Sequence, residues 1–397
     1  MKNNNNRHAA LASLAGAAMA LPAINVQAAS VADNFQIGVR HHAYQEEGID
    51  SNKLQQGSAG ERYDIDVNQF QLIAPLSDSF QLDVNYQVEK MSGASPYFTQ
   101  KNADGQVVQV MSGASIEDTR KDSSAKLTYV ADNYSLAAVI ARSTEDDYES
   151  SSYGIELSYE LADKLTTLNL AADQSQDEIS PTFGVTSPSV NFAEKDSWSV
   201  YAGLTRVLNK NMQLQVGLGL IDKSGFLSDP YKIVVPGSGQ AASFVDTRPT
   251  ERQATTLSTR LRYFIPEVNA ALHADYRYYD DDWQINSHTF ELAWYQNLAD
   301  SWQVVPSLRF YSQSQAYFYE NFYEVARSDG LQSTDYRLSS YGAITLGLNL
   351  YKQIGNWRLT AGYQTYNSDE SYALDSGEGS VGLIDFDMLS LGFDVKF

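Results

Sequence analysis

The last residues of the chain, Leu389, Leu391, Phe393, Val395 and the terminal Phe397, put an apolar side chain at every second position. A strand with one wholly apolar face makes little sense in water, where its unpaired edge would template aggregation. In lipid, a sheet that closes on itself satisfies every backbone group and leaves that face in hydrocarbon. The pattern predicts the closing strand of a transmembrane β-barrel.

The same alternation recurs from Phe35 onward in segments of about ten to fourteen residues, as expected of tilted membrane-spanning strands. Its clearest outward faces are Phe80, Leu82, Val84, Tyr86 and Val88; Tyr153, Ile155, Leu157, Tyr159 and Leu161; and Leu214, Val216, Leu218 and Leu220. Between the first set lie Gln81, Asp83, Asn85, Gln87 and Glu89, which lipid cannot accept and which must face a wet interior. Further strands are expected to begin near Phe35, Tyr63, Ala125, Tyr134, Thr166, Trp198, Thr255, Ala270, Ser287, Trp302, Ser340, Trp357 and Ile384, giving about sixteen in all.

Short turns fall at Pro75 to Ser79, Ala131 to Asn133, Ala162 to Lys164, Leu208 to Asn211, Ile265 to Asn269, Leu298 to Ser301 and Lys352 to Asn356. Long polar loops run from Ser92 to Lys121, Ser175 to Lys195, Ser224 to Gln253 and Ser312 to Arg337. The predicted fold is an all-β, antiparallel, up-and-down transmembrane barrel with short periplasmic turns, long extracellular loops and both termini in the periplasm. Stacked sandwiches or a propeller would give no reason for the terminal Phe397. Met91 to Ser95 recurs as Met111 to Ser115 within the second long loop, whose flanks are able to pair as a small hairpin.

At the other end, Lys2 and Arg7 precede an alanine-rich apolar run from Ala9 to Leu21, and Val26, Gln27 and Ala28 resemble a secretory cleavage site. Cleavage is expected after Ala28, leaving residues 29–397 as one barrel domain exported to the bacterial outer membrane. No stretch of about 18 apolar residues follows, which excludes helical spans. The chain has no cysteine, so disulfides, thiol catalysis and thiolate metal sites are excluded. Its net charge of −21 opposes binding to nucleic acid and favours cations or basic partners.

Several segments resemble an outer-membrane family catalogued as domain of unknown function 3570. They are Ser92 to Pro96, Asp118 to Arg120, Gly225 to Lys232, Tyr276 to Trp283, Ser287 to Thr289 with Glu291, and Pro306, Leu308, Arg309, Tyr311 and Gln313 with Ala316, Phe318 and Tyr319. The resemblance implies a barrel of Gram-negative bacteria and no particular activity. Family genes near flavin-transferase and thioredoxin-like genes imply a link to an extracytoplasmic redox pathway.

The alternation turns Arg260, Arg262, His273, Asp275, Arg277, Glu291 and Arg309 to the lumen on four consecutive strands. Neighbouring strands lie about 4.8 Å apart, so such a wall holds its ions within reach of one another. Facing acids such as Asp64, Asp66, Asp83 and Glu89, it would set a transverse field across a pore; the alternative is a salt-bridge ladder that stiffens the barrel. Tyr317, Phe318, Tyr319, Phe322 and Tyr323 form either a constriction or ligand platform, or, nearest the strand end, an interfacial girdle. Asp280, Asp281 and Asp282 are weak calcium candidates and read better as a solvated acidic turn bridging lipopolysaccharide through cations. His273 beside Asp275 could orient a base, but no GxSxG or HExxH signature is present, so catalysis is not expected.

The expectation is a pore or transport barrel for small polar solutes, with no cofactor; the alternative is a closed barrel anchoring a periplasmic or surface protein. Outer-membrane lipid, lipopolysaccharide and, through the Phe397 strand, the barrel-assembly machinery are the expected partners.

Overall fold

The computed structural model describes residues 30–112, 116–182, 187–237 and 243–397. The expected signal peptide and its cleavage point lie outside the described residues. Twenty strands form among those described: β1 (Gln36–Glu46), β2 (Asp64–Ser77), β3 (Phe80–Gly93), β4 (Pro96–Lys101), β5 (Val107–Met111), β6 (Ile116–Val130), β7 (Tyr134–Thr144), β8 (Tyr148–Glu160), β9 (Thr166–Ile179), β10 (Ala193–Asn209), β11 (Met212–Gly225), β12 (Ile233–Val234), β13 (Phe244–Val245), β14 (Glu251–Ile265), β15 (Ala270–Asp281), β16 (Asn286–Asn297), β17 (Trp302–Gln313), β18 (Tyr341–Ile354), β19 (Trp357–Asp369) and β20 (Phe386–Lys396). Sixteen of them close one antiparallel barrel in chain order, while β4–β5 and β12–β13 are hairpins within long loops. The seam is β1 against β20, in register from Gln36 opposite Lys396 to Glu46 opposite Phe386. Polar inward residues knit it: Arg40 Nη2 donates to Asp394 Oδ1 at 2.9 Å, and His42 Nδ1 lies 2.7 Å from Ser390 Oγ.

Register confirms the two-faced strands. Leu389, Leu391, Ile155, Leu218 and Leu348 are exposed on the outer surface, an apolar belt suited to hydrocarbon. Aromatic rings collect at the short-turn rim: Phe80 lies 5.1 Å from Tyr129, Trp357 lies 4.8 Å from Phe393, and the Lys352 ammonium stands 5.0 Å from the centre of Trp302. Rings with an apolar body and a polar edge suit the membrane–water interface.

Seven short turns join the strands at one end, where they are expected. At the other end several strands run past the belt. β10 has 17 residues, whereas about 9–11 suffice to cross a bilayer. This is why β6 begins at Ile116 rather than near Ala125, and β10 at Ala193 rather than near Trp198: these extensions are polar on both faces and show no alternation. Asp64 and Asp66 belong to such an extension. They share a face with Phe70, Lys90 and Tyr86, so they point outward above the belt and not into the lumen; Ile65 and Val67 point inward instead.

The repeated Met-Ser-Gly-Ala-Ser segments flank the β4–β5 hairpin, where Pro96 is opposite Met111 and the Ser112 amide donates to the Ser95 carbonyl at 2.9 Å. Residues 113–115 of the second copy lie outside the described residues. Gly93 turns β3 out of the wall at φ +141°, and a Cβ there would stand 2.2 Å from the Arg62 carbonyl oxygen. Gly93→Ala is therefore expected to cost about 1–3 kcal/mol in backbone strain, read as a lower urea midpoint for loss of the folded, heat-modifiable gel band.

Candidate functional site

Four wall strands carry the charged strip. Arg260, Asp275, Glu291 and Arg309 are successive register partners across β14, β15, β16 and β17, so they form one row at a single height. The row below holds Arg262 and His273, and the row above holds Ser258, Arg277, Thr289 and Tyr311. All seven predicted strip residues face inward.

They do not form a ladder. Arg262 grips Asp275 through both guanidinium ends, with Nη2 to Oδ2 at 2.9 Å. Among the described residues Arg260, Arg277, Glu291 and Arg309 make no ion pair. Glu291 and Arg309 are exposed, although they stand directly opposite one another. A solvated pair is worth only about 0–1 kcal/mol, too little to hold two long side chains in one geometry. Arg277 Nε is buried with no partner. Asp275 is engaged by Arg262, while the His273 ring lies 4.2 Å from that of Tyr295, so the acid is not placed to orient a histidine base.

Across the lumen, β3 stands eight strands from β15 in the ring of sixteen. Its Asp83 and Glu89 face inward as expected, Asp83 taking Gln81 Nε2 at 3.0 Å and Glu89 lying 3.9 Å from Arg120. With Asp64 and Asp66 turned outward, the acidic wall is β3 with β6 and not β2.

The aromatic loop between β17 and β18 is packed against its neighbouring loops. Ala316, Phe318, Tyr319 and Leu338 pack with Trp283 and Ile285 in one buried cluster, with Trp283 edge-on to Phe318 at 5.1 Å. Phe322 and Tyr323 are also buried, whereas Tyr317 is exposed. Apart from Tyr317 these rings are not an interfacial girdle; they face other loops and not lipid. The loop reaches across the mouth: Thr99 Oγ1 donates to the Asn321 carbonyl, Lys101 pairs with Glu324, and the Gly237 amide donates to the Tyr323 carbonyl at 2.9 Å. Thr99 and Lys101 rise from the β3–β6 side, so the loops interlock as a cap over the long-loop end.

Within the cap lies a balanced ionic core of three acids, Asp229, Asp246 and Asp335, and three bases, Lys232, Arg248 and Arg337. Arg337 Nε donates to Asp335 Oδ1 at 2.9 Å, Arg248 Nη2 to Asp335 Oδ2 at 2.9 Å, and Arg248 Nε to Asp246 Oδ1 at 2.7 Å. Lys232 Nζ donates to the Pro96 carbonyl at 2.7 Å. Burial alone would raise the Asp335 carboxyl, but Arg337, Lys232 and Arg248 hold it well below the usual carboxylate range. Sequence reasoning missed this core. Its trace is the recurring Asp-x-Arg of Asp246 to Arg248 and Asp335 to Arg337, which puts acid and base on one side of an extended chain.

The acidic turn is solvated at Asp280 and Asp282 and closed at Asp281, and its carboxylates do not converge. Asp281 is buried, accepting from Arg252 Nε at 2.7 Å, Tyr279 OH at 2.7 Å and the Ile285 amide at 2.9 Å. Asp282 caps the Gln253 amide at 3.1 Å and Asp280 is exposed. The carboxylates that do converge are Asp118, Glu145 and Asp147, with oxygens within 4.8 Å of one another. Burial, then the neighbouring Asp118, push the Glu145 carboxyl up to about 8, and burial pushes that of Asp147 to about 6.

The family model described as "Protein of unknown function (DUF3570)" matches residues 11–386. The chain belongs to the DUF3570 family. Comparison with the curated proteins finds no match to this DUF3570 member. Among solved structures the DUF3570 barrel is similar to a bacterial polysaccharide outer membrane secretin, at 10% identity and TM-score 0.51, over 92% of this chain and 99% of that one. It is also similar to CdiB from Acinetobacter baumannii, at 8% identity and TM-score 0.51, over 92% of this chain and 60% of that one. The siderophore receptor PirA from Pseudomonas aeruginosa aligns at 11% identity and TM-score 0.40, over 85% of this chain and 56% of that one. The DUF3570 chain thus spans little more than half of these two larger proteins. At such identities the likeness concerns the fold alone, that of an outer-membrane β-barrel.

Proposed function

We propose that this protein lies in a Gram-negative outer membrane, short turns in the periplasm and cap outside, and passes small polar solutes through a lumen that the cap narrows. The observation that carries this reading is the pair Glu291 and Arg309, inward-facing, adjacent, exposed and unpaired: a barrel interior filled by protein would have buried or joined them. The strip on β14 to β17, with four arginines against Asp275 and Glu291, faces the acids of β3 and β6 and supplies a transverse field to sort ions. Outward acids above the belt, Asp64, Asp66 and Asp280, suit cation bridges to lipopolysaccharide, and the exposed Phe397 on the closing strand suits recognition by the assembly machinery.

Planar-bilayer recording tests the reading. The folded protein is expected to give discrete steps, and Arg309→Ala or Arg260→Ala to shift the reversal potential toward cation preference; a bilayer that stays silent at all voltages overturns it. The interlocked cap favours one second reading, a closed barrel anchoring a partner of an extracytoplasmic pathway. That reading requires silence from the intact protein and conduction once the cap is removed.

A further inference from the structure

The two charged clusters on the long-loop side differ in one respect. The core within the cap balances three acids with three bases. The cluster on the inner face of β3, β6 and the β7–β8 turn sets Glu89, Asp118, Asp122, Glu145 and Asp147 around a single guanidinium, that of Arg120. Arg120 lies 3.9 Å from Glu89, 3.1 Å from Asp122 and 3.6 Å from Glu145. Among the described residues no lysine or arginine pairs with Asp118 or Asp147.

These carboxylates are not at the surface. Asp147 is 3% exposed and Asp118 and Glu89 are each 7% exposed. Asp147 Oδ2 accepts from Tyr231 OH, but Asp147 Oδ1 and Glu145 Oε2 are buried with no hydrogen-bond partner. A buried anionic oxygen without a donor is costly, and here two of them belong to side chains that converge with Asp118.

We propose that Asp118, Glu145 and Asp147 hold a calcium ion. Calcium takes six to eight hard oxygen ligands at about 2.3–2.6 Å, so ligand oxygens of one ion stand at most about 5 Å apart, and those of this cluster all lie within 4.8 Å of one another. Magnesium dehydrates reluctantly and is usually held through one or two carboxylates with several waters kept, which a buried set of three carboxylates suits less well. The three carboxylates leave further positions for backbone carbonyls and water. The ion would tie the β6 wall to the β7–β8 turn and, through Tyr231 on Asp147, to the β11–β14 loop that carries Asp229 and Lys232. The inference is independent of whether the lumen conducts.

The test uses the full folded protein in detergent, stripped with EGTA and titrated with calcium by calorimetry, with terbium luminescence sensitised by Tyr231 and Tyr148 as a second readout. One site per chain is expected, weakened more than tenfold in Glu145→Gln and in Asp147→Asn and unchanged in Asp104→Asn, which removes an exposed acid of the β4–β5 turn. Heat-modifiable gel mobility checks that each variant is folded. Three results would overturn the proposal: no calcium binding at millimolar concentration, binding that survives both variants, or a stripped protein that Glu145→Gln stabilises while calcium does nothing, which would show that protons neutralise the cluster.

Discussion

Replacing residues 315–338 with a short glycine–serine linker is expected to raise single-channel conductance roughly tenfold, because a barrel of sixteen strands leaves a water-filled channel once nothing occupies its mouth. The wall should survive the change. Gln313 and Tyr341 are direct register partners, so a hairpin-sized connection closes β17 onto β18 without strain. The cap should not survive it, since the β4–β5 hairpin rests on Asn321 and Glu324, the β12 end of its loop on Tyr323, and the β19–β20 loop on the Tyr319 hydroxyl at 3.1 Å from the Gly379 carbonyl. Equal conductance before and after would mean that the loop does not set the narrowest point.

The second large effect is at the ionic core. Asp335→Asn removes the one carboxylate shared by Arg337 and Arg248 and is expected to loosen the cap by about 3–5 kcal/mol, the usual cost of stranding a buried charge. Limited proteolysis reads this as new cleavage between residues 314 and 340, while gel mobility still reports a folded wall; a variant as resistant as the parent would refute the assignment. The pH response follows from the same group. Its folded carboxyl is held below the unfolded value of 3.8, so its contribution is complete above that value and disappears only as pH falls through the lower, folded one. Lys232, Arg248 and Arg337 keep their charge throughout that range. The cap of the parent protein is expected to resist protease at neutral pH and to open in strong acid.

The wall was legible in the sequence because its physics is local. Alternation of Leu389, Leu391 and Phe393 with Ser390, Gly392 and Asp394 needs no knowledge of the rest of the chain, and the strip from Arg260 to Arg309 followed by counting in twos. That counting failed where lipid ends. Asp64 and Asp66 lie on a strand whose upper part is wet on the outside and faces the cap on the inside, so the polar residue no longer marks the lumen. The cap itself was legible only as aromatic content. Phe318 meets Trp283 and Arg248 meets Asp335 across different loops, Asp118 on β6 meets Glu145 on the β7–β8 turn, and no periodicity carries information about which loops will touch.

The seam has a consequence for how the gene can fail. It joins residues 36–46 to residues 386–396, the pairing of greatest sequence separation in the wall, and such a contact forms after the local hairpins because its loop-closure entropy comes due first. Until β20 pairs, β1 has no partner on one side and waits as an open edge. A stop codon ahead of β20 would therefore not encode a slightly smaller barrel. It would encode an unclosed sheet with two open edges.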